Sequence, residues 1–147
     1  MYELCKDILN VSFEIASKKS CIGMLPASLV ICNYKTGAFL FTHSHHSYKQ
    51  GLFEFCKSQQ EINNHKNSGS GANLGHVLPF LEKGDYPKCD DGLHLLICVK
   101  DSETKRFLND FRICSCLIKR FIKENVRLVT IQIGHNEYMK IYNIVKQ

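Results

Sequence analysis

Three histidines, His43, His45 and His46, crowd into four positions directly after the apolar, alternating run "GAFLFT". On an extended strand, residues two apart project to the same side. His43 and His45 could therefore present two imidazoles to one divalent metal, which prefers neutral histidine nitrogens. A carboxylate such as Asp91 or Glu14 would complete the ligand set, and the chemistry implied is metal-dependent hydrolysis. The plainer alternative is a polar strand mouth with solvated imidazoles.

A second candidate stands at "KCDDGLHLLICVK", where Asp90, Asp91 and Gly92 directly precede a near-continuous apolar run. A carboxylate at a strand end can ligate Mg or Mn, and a glycine lets a ligand approach the backbone. Asp-Gly is also a common turn that launches a strand. Cys89 and His94 could form a nucleophile and base, although no third residue orients them. Lys105, Arg112, Lys119 and Lys123 recur at steps of seven, seven and four, a row able to meet phosphates. Gly69, Gly71 and Gly75 lie in "GSGANLG", but the residues before them show no strand from which a phosphate loop could spring.

The chain that must position these groups has 147 residues, is 44% hydrophobic and carries a formal charge of +5. That suits one domain with one core. The mild positive excess favours anionic small molecules and leaves nucleic acid open as a partner. No apolar run has the roughly 18 residues of a membrane helix, and the first ten residues lack a signal-peptide core. A cytoplasmic, intracellular location is expected. The eight cysteines form no C-x-x-C pair and are expected to be reduced, several of them as buried hydrophobes.

Periodicity then supplies the elements. Leu4, Ile8, Val11 and Ile15 step by four, three and four, which predicts a helix over 3–19 with that stripe on its apolar face. "CIGMLP" reads as a turn with Gly23 and Pro26 as breakers. "ASLVICN" and "GAFLFTH" read as a hairpin around "NYKTG", so the histidines sit where the second strand leaves the sheet. Residues 47–65 suggest a short helix, and 64–75 a flexible loop. "LHLLICVK" reads as a central strand. Phe107, Phe111, Cys114, Ile118 and Phe121 predict a long helix over 102–124, capped by Asp101 or Ser102 and stopped at a left-handed Asn125. "VRLVTIQIG" and "MKIYNIVK" close the chain as a second hairpin.

Two family resemblances attach to these pieces. "FTHSHH" resembles the front half of the JAMM metalloprotease motif, in which a strand delivers His-Ser-His; His46 stands where that motif has proline. Over nearly the whole chain the order of elements resembles diadenylate cyclase domains of the DisA type. "ASKKSCIGMLPASLVIC" resembles their opening turn and strand, "PKCDDGLHLLIC" their Asp-Gly turn, and "VRLVTIQIGHNEYMKIYNI" their closing hairpin. The family's Arg-His-Arg motif is reduced to Arg112 in "NDFRICSC". This resemblance implies a nucleotide site with a metal, to which Asp91 and Gly92 would contribute.

Together these readings predict an α/β domain of α+β-like character: a mixed sheet covered by an N-terminal helix and a long helix near 102–124. The leading functional expectation is binding of a nucleotide or similar anionic ligand, with Asp91, Gly92 and Arg112 at the site and a divalent cation (Mg, Mn or Zn) as cofactor. The alternatives are a metal-dependent hydrolase built on His43, His45 and Asp91, and a non-enzymatic protein-interaction factor of the pathogen or phage type.

Overall fold

Five strands form one mixed, open sheet. The computed structural model describes residues 2–18, 24–48, 81, 83–101, 104–107 and 115–144. Helix α1 (Tyr2–Ser17) is followed by β1 (Met24–Asn33), β2 (Phe39–Tyr48), β3 (Leu93–Val99), α2 (Ser115–Lys123), β4 (Val126–Gly134) and β5 (Glu137–Asn143). The sheet order is β2-β1-β3-β4-β5. Only β3 and β4 are parallel; β1 pairs antiparallel with both β2 and β3, and β5 antiparallel with β4. The expected α/β class, single domain and two hairpins are therefore observed.

Strand β3 lies at the centre, and every one of its residues is buried, as its apolar run requires when both faces are covered. On one face Leu29, Ile31, Leu95, Ile97 and Val129 pack with Leu117 and Phe121 of α2. On the other, Val30, Cys32, Leu96 and Cys98 pack with Cys5, Leu9 and Phe13 of α1. The period of two along β1 and β3 thus assigns one helix to each face.

Three expectations are corrected. First, α1 buries Cys5, Leu9, Ser12, Phe13 and Ala16, while Leu4, Val11 and Ile15 of the expected apolar face are more than half exposed. The helix carries two neighbouring faces, and the one with small residues lets its backbone approach the sheet. Ser28 Oγ donates to the Leu9 carbonyl at 2.9 Å there.

Second, the histidines do not mark the exit of β2. His43 pairs with Leu29, His45 with Ala27 and His46 with Pro26, so the hairpin continues through them. Met24, Leu25 and Pro26, expected in a turn, already belong to β1.

Third, residues 104–107 of the expected helix are not helical, and among the described residues α2 begins at Ser115. Asp101 does accept a backbone bond as expected, from Thr104 N–H at 3.2 Å, but it closes a tight turn. Lys105 N–H donates to the Asp101 carbonyl and Asp101 N–H to that of Arg106. Phe107 bridges back to Lys100 and packs on the α1 side. Asn125, by contrast, takes the expected left-handed conformation, with φ 59°. The expected helix over 47–65 (beyond Tyr48), the expected loop over 64–75 and Arg112 lie outside the described residues.

Candidate functional site

The two ends of β3 hold most of the polar chemistry. At its start, Asp91 and Gly92 do launch the strand, inside a dense hydrogen-bonded clasp. Asn33 donates through Nδ2 to Asp91 Oδ2 at 3.0 Å and to Cys89 Sγ at 3.2 Å. Its Oδ1 accepts the backbone N–H groups of Lys35 and Thr36, at 2.8 and 3.0 Å. Asn125 donates through Nδ2 to the Cys89 carbonyl at 3.1 Å, and Leu93 N–H donates to the Asn125 carbonyl at 2.9 Å. Lys35 Nζ lies 3.9 Å from Asp91 Oδ1. The clasp ties the β1–β2 turn, the entry to β3 and the exit of α2 to one another.

Gly92 is required in this clasp. Its φ is +95°, and a Cβ there would stand 2.6 Å from Arg127 Cγ. The Arg127 guanidinium lies 5.9 Å from the centre of the Tyr34 ring, which holds that stem against the glycine. Beside it, Tyr86 Oη donates to Glu124 Oε2 at 2.6 Å, and Lys88 Nζ to the same oxygen at 3.0 Å. Burial works to raise the Glu124 pKa, but the bonds from Tyr86 and Lys88 outweigh it and hold the carboxyl below its ordinary value. Burial, then the bond to Glu124, pushes the Tyr86 phenol up to about 12.

Asp91 is not brought to the histidines. His43 pairs with Leu29 and Asp91 bonds Asn33, four residues further along β1, roughly 13 Å at about 3.3 Å per residue. His45 pairs with Ala27, further away still. Among the described residues no three His, Cys, Asp or Glu side chains converge on a point where a metal could sit. The His43 imidazole is held below its ordinary pKa, first by burial and then by Lys83. Cys89 and His94 are also separated: Cys89 packs against the α2-side core, whereas His94 stacks on Tyr2 of α1, ring centroids 5.3 Å apart. His94 Nε2 shares a 2.8 Å bond with Thr130 Oγ1, and burial followed by Lys140 lowers its pKa to about 4.

At the opposite, carboxyl end of β3 lies a cleft of about 220 Å³ lined by Phe13, Glu14, Ser17, Pro26, Lys100, Asp101 and Lys105. Helix α1 ends over it, and Asp101 and Lys105 stand at its rim. Lys100 Nζ lies 4.7 Å from the centre of the Phe13 ring and 4.5 Å from that of Phe107. Two aromatic faces hold the ammonium without neutralising it. Lys105 has φ 59°, a left-handed backbone that a side-chain-bearing residue adopts at a cost of about 1–2 kcal/mol. In the sequence Lys105 falls in a basic row at helical spacing, whereas Lys100 belongs to no motif. The available signal was position: Lys100 and Asp101 directly follow the buried central strand.

No protein-family model, curated protein or solved structure matches the chain. Among the described residues, no helix is long and apolar enough to cross a membrane.

Proposed function

We propose that this chain is a binding domain for a nucleotide or similar anionic ligand, and that its site is the cleft at the carboxyl end of β3. In open sheets with parallel strands, ligands are bound in the crevice beyond the carboxyl ends of those strands. The observation that carries the reading is the pair Lys100 and Lys105 lining that crevice. Two ammonium groups attract a phosphoryl group, and the Phe13 ring offers an apolar wall for the attached organic part. A volume of about 220 Å³ falls below the roughly 300–1,000 Å³ of sites that enclose a drug-sized molecule. The cleft therefore takes a phosphoryl group and the part of the ligand next to it, leaving the remainder in solvent.

Glu14 and Asp101 line the same cleft. They would hold a divalent cation together with phosphate oxygens of the ligand, an arrangement that suits Mg. The resemblance to diadenylate cyclase domains supports the same ligand class, although its Asp-Gly turn falls at the other end of β3. Asp91 in this reading builds the clasp and does not touch the ligand.

A thermal-shift and calorimetric screen with ATP, GMP, cyclic dinucleotides and inorganic pyrophosphate, each with and without Mg, tests the proposal. At least one ligand is expected to raise the melting temperature, and Lys100→Met with Lys105→Gly to remove the effect. Lys105→Gly suits the left-handed backbone and deletes only the amine. If no ligand shifts the transition, or the double variant binds as the parent does, the assignment is wrong.

A further inference from the structure

Two exposed apolar rows remain unexplained by ligand binding, and they lie on opposite faces of the sheet. On α1, Leu4, Val11 and Ile15 are 55%, 62% and 52% exposed, with half-buried Ile8 between them. On α2, Ile118 and Ile122 are 37% and 58% exposed. The charges flanking the α1 row are mainly acidic, and those flanking the α2 row are basic. Lys6 of α1 is paired to Glu3 at 3.3 Å, and Lys18 stands just past the helix end. Glu3, Asp7 and Glu14, all exposed, stand one residue before Leu4, Ile8 and Ile15; Lys119 and Lys123, also exposed, stand one residue after Ile118 and Ile122.

We infer that α1 of one copy of this chain packs against α2 of a second copy, joining copies head to tail. The charges favour this occupant over an antiparallel pairing of like helices. An α1 against another α1 in antiparallel fashion would bring two acidic flanks together, and α2 against α2 in that way two lysine flanks. An α1 beside a parallel α2 sets the acidic and lysine rows on the same flank, because one precedes and the other follows its apolar row by one helical step of about 100°. The register that places Ile118 and Ile122 against Leu4 and Ile8 puts Lys119 and Lys123 beside Glu3 and Asp7, at the shared spacing of four.

Within one molecule this contact is impossible, since α1 and α2 cover opposite faces of the sheet. The contact is heterologous: each copy keeps a free α1 at one end and a free α2 at the other. Association then proceeds beyond a dimer, into a ring or an open stack. Because charge aligns the helices, it weakens with salt.

The test is sedimentation velocity on the full chain at roughly 100 μM, in low and high salt. The parent chain is expected to form concentration-dependent species larger than a dimer at low salt and to dissociate at high salt. The charge-reversal variants Glu3→Lys/Asp7→Lys and Lys119→Glu/Lys123→Glu should each be monomeric. An equimolar mixture of the two should associate again, since each then offers the flank the other needs. All four substitutions lie at exposed positions, and circular dichroism verifies that both variants fold. A parent chain that stays monomeric in low salt, a reversal variant that still self-associates, or a mixture that does not recover association would each overturn the inference. The first of these would leave the two rows to a different protein partner.

Discussion

The two ends of β3 both present aspartates, lysines and a left-handed residue, yet they arrange them differently. At the amino end, Asn33 bonds Asp91 while Asn125 bonds the Cys89 carbonyl and Leu93 N–H, and Gly92 takes the left-handed backbone conformation between them. At the carboxyl end, the Lys100 ammonium lies between two rings and the left-handed position is a lysine. One end bonds its polar groups mostly to one another. The other keeps charged groups at a cavity wall, and holds one of them through a backbone conformation that glycine would adopt more easily. Composition alone does not separate a clasp from a site; the neighbours that saturate the polar groups do.

Substitutions that break only one end sharpen this contrast. The largest effect is expected from Gly92→Ala, which combines a disfavoured φ with a Cβ pressed into the Arg127 stem. A loss of about 3 kcal/mol in urea unfolding is expected from the two costs together. Trimming Arg127 to Ala in the same chain should recover the steric part and leave the conformational one.

Acid should weaken the fold at His94, the second residue of β3, to a similar extent. Its folded-state pKa is about 4 against an ordinary 6.5, so the unfolded chain takes up the proton first as the pH falls. Stability is complete above about pH 6.5 and is lost progressively down to pH 4. The loss amounts to about 3 kcal/mol, at about 1.36 kcal/mol per pKa unit. Unfolding measured across that range, with His94→Phe flattening the slope, checks the attribution.

Asn33→Ala removes the central donor of the clasp and should cost about 2 kcal/mol, since it leaves Asp91 and two turn N–H groups short of partners. Ligand affinity should change little, because the cleft lies at the far end of the strand. Lys100→Met is the mirror experiment. It keeps an apolar stem between Phe13 and Phe107, so stability should move by no more than about 0.5 kcal/mol, while affinity for the ligand found by the screen drops about tenfold. The smallest change is expected from Asp91→Asn, which keeps a side-chain oxygen for Asn33 Nδ2 and gives up only an exposed ion pair to Lys35. Less than about 0.5 kcal/mol should be lost in unfolding, with no effect on binding. An affinity that falls with Asp91→Asn and not with Lys100→Met would reverse the roles of the two ends.

Much of the fold was legible because it rests on local signals. The alternation in "ASLVICN" and "VRLVTIQIG", the apolar run "LHLLICV" and the left-handed Asn125 each dictate backbone geometry through a few consecutive residues. The helical period over 3–19 was equally clear, but it pointed to the Leu4, Ile8, Val11 and Ile15 stripe, and the neighbouring face meets the sheet. That choice depends on which face lets the backbone come close, and Cys5, Ser12 and Ala16 provide it. Asp101 shows the same limit at a turn: a side chain able to cap a helix caps a tight loop equally well, and the pairing of Phe107 with Lys100 decided between them.

What the sequence by itself determined is the inventory: five strands, two covering helices, a buried central strand and an Asp-Gly turn that launches it. These follow from periodicity and backbone sterics, which act over a few residues. Only the tertiary structure decided that Asp91 faces Asn33 and not the histidines, that His94 and Cys89 lie on opposite faces, and that Lys100 and Lys105 share a cleft with the end of α1. Those relations join residues far apart in the chain. They are set by strand order and register, which no local pattern encodes.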